Sequence, residues 1–215
     1  MEKLSKEELQ FIDNYLDNSD IIYADIRMEI IDHVASEIEN RMQANNEATF
    51  YTIFKTYMVE NKADLLKDNK KYIKSIENKN TKFIIKELLS FKALIVFVLL
   101  LFLSNNYLLN FKIMSPKHIF TIPFLLIIIT TIIYFISSKI YKYSRFSGVE
   151  RLGFLYYVLF QVFYFISMFI RNRIEDLNNV LVSALFALCI TLIYVFVKVT
   201  ITVIKTYRTQ YKSIV

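Results

Sequence analysis

The chain has 215 residues, 55% of them hydrophobic and 16% aromatic, with two Gly, two Pro and one Cys. So few turn-forming residues exclude a loop-rich, all-β or disordered protein and leave an all-α fold as the expectation. The net charge of +6 is unevenly spread: residues 1–60 hold 5 Lys/Arg against 13 Asp/Glu, 61–92 hold 9 against 4, and 93–215 hold 12 against 3. An acidic head with a basic neck argues against nucleic acid as a partner, because such binders gather positive charge on the folded domain.

Helix one is expected to begin at Leu4-Ser5-Lys6-Glu7-Glu8-Leu9. Ser5 serves as N-cap, Glu8 closes a capping box, and Leu4 against Leu9 forms a hydrophobic staple. Its apolar face is Leu9, Ile12 and Leu16. After the turn Asp17-Asn18-Ser19-Asp20, a second helix is expected to run to about Gln43, with Ile22, Ile26, Ile30, Val34, Ile38 and Met42 as its core stripe. A third carries Phe50, Ile53, Phe54, Tyr57 and Met58 on one face. These three stripes need one another, so residues 1–60 are expected to form a cytoplasmic helical bundle. Residues 61–92 read as a basic amphipathic neck, with Leu65, Leu66, Tyr72, Ile73, Ile76, Phe83 and Ile84 among lysines, suited to lie against anionic lipid.

On helix two Asp25, Glu29, His33 and Glu37 recur every four residues. A carboxylate–imidazole row can hold a divalent metal, but no second ligand-bearing segment accompanies it, so a solvated or partner-facing surface is the reading and no metal or cofactor is expected. The run Arg27-Met28-Glu29-Ile30-Ile31-Asp32-His33-Val34, then Ile38-Glu39, resembles the signature of HAAS-type helical N-terminal domains of bacterial multi-pass membrane proteins, which accompany PadR-like regulators. The resemblance covers roughly residues 4–60. It implies a cytoplasmic module for protein contact, with Arg27, Glu29, Asp32 and His33 as the matched residues and a cytoplasmic regulator as partner.

From residue 93 a transmembrane domain is expected. Crossing roughly 30 Å of hydrocarbon takes about 20 helical residues, and four charge-free windows meet that length, at 93–111, 119–138, 152–170 and 177–197. Asn105 and Asn106 suggest an early exit from the first; Pro116 suits the first turn of the second, and Pro123 is placed to bend it. Orientation follows from Lys and Arg. Sixteen flank the spans on one side (eight in the neck from Lys67 to Lys92, then Lys139, Lys142, Arg145, Arg151, Lys198, Lys205, Arg208 and Lys212), against Lys112, Lys117, Arg171 and Arg173 on the other. The positive-inside rule therefore predicts both termini in the cytoplasm and the spans in a cell (inner) membrane. The first 20 residues lack an apolar h-region, so no cleavable signal peptide is expected.

None of the windows contains Asp, Glu, Lys, Arg or His, which argues against an ion-coupled transporter. Gln161 is read as an interhelical hydrogen-bonding residue, and Ser183, Ala187 and Thr191 as a small-residue stripe for packing within the chain or in a homodimer. Lone Cys189 excludes an internal disulfide and is read as packing. No clustered nucleophile, acid–base pair or metal set marks an enzyme. The sequence thus points to a non-enzymatic signalling or regulatory membrane protein, with a small transporter or channel subunit as the alternative.

Overall fold

The computed structural model describes residues 3–44, 48–109, 116–140, 145–173 and 178–210, without the side chains of 108–109, 116–117 and 171–173. Lys112, Lys142 and Lys212, counted above for orientation, lie outside the described residues, as do the side chains of Lys117, Arg171 and Arg173. Among the described residues the secondary structure is helical, with no strand. The chain divides into two units, Met1–Glu77 with Arg145–Ser147, and Asn78–Ser144 with Gly148–Val215.

The first unit is built on α1 (Lys6–Asp17), α2 (Ala24–Ala44) and the first two thirds of α3 (Phe50–Leu88). The box at the start of α1 is closed: Ser5 Oγ accepts from Glu8 N at 3.2 Å, and the Glu8 carboxylate accepts from Ser5 N at 2.8 Å. Leu4 is held against α2 by its backbone N–H, which donates to Glu39 at 3.0 Å. The core collects Ile12 and Leu16 from α1, Ile26, Ile30, Val34 and Ile38 from α2, and Phe50, Ile53, Phe54, Tyr57 and Met58 from α3. Ile22 is a correction: it stands before α2 and is 55% exposed, while Ile21 beside it is buried. The turn explains the exchange, because Asp20 takes φ 65°, reversing the chain just before Ile21. An Asp tolerates that left-handed conformation better than most residues. The core also runs past residue 60. Because α3 is unbroken there, Leu65 is buried and Leu66, Ile73 and Ile76 pack against the same cluster, so the first half of the neck belongs to the bundle.

In the second unit α3 ends at Leu88 and α4 (Phe91–Leu103) begins after a 55° bend. Ser90 makes the break: its Oγ accepts from Ala93 N at 3.3 Å and caps α4. The neck and the first apolar segment are therefore two helices. Beyond α4 a π-helical turn covers Ser104–Leu109, where the asparagines predicted an exit. A single turn, α5 (Pro116–Ile119), precedes α6 (Thr121–Ile140), α7 (Ser147–Arg173) and α8 (Asn179–Gln210). Pro116 opens α5, a separate turn ahead of α6, and Pro123 is the third residue of α6, where the backbone N–H it lacks would have no acceptor within the helix in any case. The interruption lies earlier, at Phe120.

Helix α8 is the centre of this unit. It packs against α4, the π-helical turn, α5 and α6, and aromatic contacts join the rest: Tyr134 stacks on Tyr156 at 5.1 Å, Tyr156 meets Phe196 at 5.5 Å, and Phe124 lies 5.5 Å from Phe160. Among the described residues three helices are long and apolar enough to cross a membrane, at Thr121–Ile140, Ser147–Ile170 and Asn179–Gln210; there are four if the bent pair ending in Phe91–Tyr107 counts as one span. Their outward faces are apolar too, with Leu94, Val98, Ile129, Ile133, Phe154 and Phe165 all exposed. Contiguous exposed surface of this kind is costly in water and suits hydrocarbon, as a membrane protein requires.

Candidate functional site

Of the four residues matched on α2, Arg27 is turned inward and is 8% exposed. Its Nε donates to Asp13 at 2.7 Å and its Nη1 to Asp17 and to the carbonyls of Ile21 and Ile22 at 3.1 and 3.0 Å. The fork of the guanidinium ties the end of α1 to the turn that leads into α2. Asn69 on α3 holds the same turn, donating to the Asp20 carbonyl at 3.4 Å. Arg27 is thus an internal strut. Glu29, Asp32 and His33 are exposed and form the free edge of α2 together with Met28.

The row of Asp25, Glu29, His33 and Glu37 does not converge. Among the described residues no three His, Cys, Asp or Glu side chains come together as metal ligands. Asp25 leaves the row altogether: only 8% exposed, its carboxylate accepts from the backbone N–H of Ser147 at 3.0 Å and from Ser147 Oγ at 2.5 Å. Ser147 is fully buried and is the first residue of α7. A carboxylate there satisfies an N–H that the helix cannot, and it complements the positive end of the helix dipole. The cap is supplied from 122 residues away.

The α1–α3 side of the first unit carries a cleft of about 630 Å³, with Phe11, Tyr15, Phe54 and Met58 on its walls and Lys55 and Lys62 beside them. The Lys62 ammonium lies 5.4 Å from the Tyr15 ring centroid and covers it. Tyr51 and Val59, at 63% and 81% exposure, leave the apolar rim open. Nearby, Tyr57 sits under the Arg41 guanidinium, 5.1 Å away. Burial raises its phenol above the ordinary value and the Glu37 carboxylate adds to the rise, with Arg41 opposing both. On the exposed part of α3, the hydrogen bond from Lys71 to Asp68 at 2.6 Å lowers the carboxyl and raises the ammonium.

In the second unit Ser183, Ala187 and Thr191 are all buried, so the stripe is used within the chain. Ser104 Oγ reaches the Ser183 carbonyl at 3.5 Å, and Thr191 Oγ1 donates to the Ala187 carbonyl at 2.8 Å. Gln161 is half-buried on α7 and has no hydrogen-bond partner among the described residues. The polar joints between helices lie elsewhere: Asn80 donates to the Gly148 carbonyl at 2.8 Å, Tyr156 and Thr200 share a hydrogen bond at 3.1 Å, and Lys198 pairs with Glu87. Gly148 lies against the Tyr207 side chain, and a Cβ there, 2.7 Å from Tyr207 Cε2, would make that ring shift. A cleft of about 440 Å³ opens between the start of α6 and the last turns of α7, walled by His118, Thr121, Phe124, Tyr164, Ser167 and Met168.

Sequence reasoning missed the inward roles of Asp25 and Arg27, Asn80, and the 440 Å³ cleft. The carboxylates at Asp13 and Asp17 ahead of Arg27 were the available signal, since a guanidinium is suited to pairing with carboxylates. No protein-family model matches the chain, and no curated protein and no solved structure is significantly similar to it.

Proposed function

We propose that this chain is a multi-pass membrane protein of regulatory function, in which a cytoplasmic helical bundle makes protein contacts and is linked to the membrane helices; it is not an enzyme. The observation that carries the reading is the bond from Asp25 to Ser147. A residue of the bundle holds the first turn of α7, the start of a candidate span. A partner that alters α2 therefore acts on the end of a membrane helix, and the reverse holds as well. Two surfaces of the bundle suit a partner: the exposed edge with Glu29, Asp32 and His33, and the aromatic cleft beside Lys55 and Lys62. The HAAS-type resemblance supports the first and names a cytoplasmic regulator as its kind of partner. The lysines from Lys67 to Lys86 would meet anionic headgroups at the cytoplasmic face.

Two measurements test this. Single-cysteine labelling in a Cys189→Ser background, with Ser36→Cys on the exposed side of α2, is expected to react from the cytoplasmic side alone; labelling from outside overturns the orientation. Affinity capture with the full-length chain in membranes is expected to retain a soluble protein that is lost in Glu29→Lys/Asp32→Lys. If nothing is retained, or both forms retain the same set, the contact role fails.

A further inference from the structure

The cleft between α6 and α7 has a chemistry that none of the preceding roles uses. Thr121 Oγ1 donates its proton to the His118 carbonyl at 2.6 Å, and Ser167 Oγ donates to the Tyr164 carbonyl at 2.8 Å. Each hydroxyl is thus spent as a donor on a backbone carbonyl three residues earlier, that of α5 for Thr121 and of α7 itself for Ser167, and what remains is lone pairs. Two such oxygens, with the rings of Phe124 and Tyr164 beside them, make a surface that accepts hydrogen bonds and attracts cations. Among the described residues no Asp or Glu lines the cleft, so a bare metal ion, which needs anionic or numerous oxygen ligands, is poorly served by them. Met168 and Phe120 continue the wall as apolar surface. A volume of about 440 Å³ suits a headgroup-sized ligand.

We infer that this cleft binds the ammonium headgroup of a zwitterionic amphiphile, with ethanolamine phospholipid as the occupant. The ammonium N–H groups donate to Thr121 Oγ1 and Ser167 Oγ and lie against the aromatic rings. The Tyr164 hydroxyl supplies a donor to the phosphate. The acyl chains follow the apolar wall, and the middle turns of α6 and α7 expose apolar side chains, as Ile129, Ile133, Phe154 and Phe165 show. This deepens the proposed regulatory function, and rests on it, by giving the membrane half a ligand.

The test is native mass spectrometry of the full-length protein in detergent, titrated with phosphatidylethanolamine, phosphatidylcholine and phosphatidylglycerol of the same acyl chains, and with free ethanolamine. Phosphatidylethanolamine is expected to bind at least tenfold more tightly than phosphatidylglycerol, with phosphatidylcholine, which lacks N–H donors, between them. Thr121→Val/Ser167→Ala removes two acceptors and is expected to reduce phosphatidylethanolamine affinity about tenfold. Thr130→Val is the control, because Thr130 makes the same kind of backbone bond, at 2.9 Å to Leu126, away from the cleft. Equal affinity for the three lipids, or an equal loss in the control, overturns the inference. Free ethanolamine binding as tightly as the lipid keeps the ammonium site and overturns the lipid as its source. The cysteine labelling described above is independent: selectivity can fail while the bundle still labels from the cytoplasm, which removes the ligand and leaves the regulatory reading standing.

Discussion

Replacing Asp25 with Ala should release the first turn of α7. The carboxylate is 8% exposed and Ser147 is wholly buried, so the freed N–H and hydroxyl have no water to turn to. A hydrogen bond to a charged group contributes roughly 1.5–3 kcal/mol and a helix cap about 1 kcal/mol. Two bonds on one carboxylate overlap in effect, which places the loss at about 2–3 kcal/mol, or roughly a 30- to 150-fold rise in local opening. Hydrogen exchange of the full-length protein, followed by mass spectrometry, reads this at residues 147–151. Asp25→Asn keeps one acceptor oxygen and should lose about half as much. Ser147→Ala removes only the hydroxyl, and in the double variant the losses should be less than additive, since they share one interaction. Exchange within twofold of wild type in Asp25→Ala, or strict additivity, would refute the cap as a load on α7.

Arg27→Met breaks the brace between α1 and α2; because Asp13 and Asp17 keep 34% and 56% of their side-chain surface exposed and can rehydrate, the loss should be about 2–3 kcal/mol, below that of a fully buried pair, measured by exchange of the α1 amides. Gly148→Ala drives a methyl group into the Tyr207 ring and should cost about 1–3 kcal/mol in thermal stability, with partial relief in a Tyr207→Leu background. Tyr57 has its phenol raised by burial, so the folded state holds that proton more tightly than the unfolded chain. Its contribution is complete below the ordinary tyrosine value near 10 and is lost as pH rises from there through the raised value of the folded state. Urea unfolding between pH 8 and 11 should show stability dropping less steeply in Tyr57→Phe.

The parts legible in the sequence are those set by local rules. A capping box needs only Ser5 and Glu8, and a core stripe only its own spacing, so α1 and the buried face of α3 could be read directly. The apolar windows were equally legible, because length and hydrophobicity are one-dimensional properties. Ile22 failed because a single left-handed residue, Asp20, shifted the phase between turn and helix. The neck was assigned apart from the bundle on its charge, yet charge sits on the outer side of α3 and does not interrupt the apolar positions at Leu65, Ile73 and Ile76. Asp25 and Arg27 look alike in sequence to the exposed Glu29 and Asp32. What separates them is the company each meets in three dimensions, Ser147 for one and Asp13 with Asp17 for the other.

Helix α7 carries both of the features on which the proposed function and the inferred ligand rest. Ser147 at its start is held by Asp25, and Tyr164, Ser167 and Met168 near its other end line the cleft of about 440 Å³. Twenty residues of helix separate Ser147 from Ser167, a span of about 30 Å at 1.5 Å per residue. A ligand moves such an element only to the extent that it binds one arrangement better than another. If the cleft prefers α7 with its first turn capped, phosphatidylethanolamine must slow exchange at residues 147–151, and Asp25→Ala must weaken phosphatidylethanolamine by the same factor, because coupling between two sites is reciprocal. Coupling of the usual 1–3 kcal/mol corresponds to a factor of roughly 5 to 150. Measuring the lipid affinity of Asp25→Ala and the exchange of the wild type with and without lipid gives that factor twice, from opposite directions. Two equal factors above about five establish a two-ended lever in α7. A factor of one in both means that α7 bears a cap and a lipid site that do not communicate, and the regulatory signal would have to enter through the bundle alone.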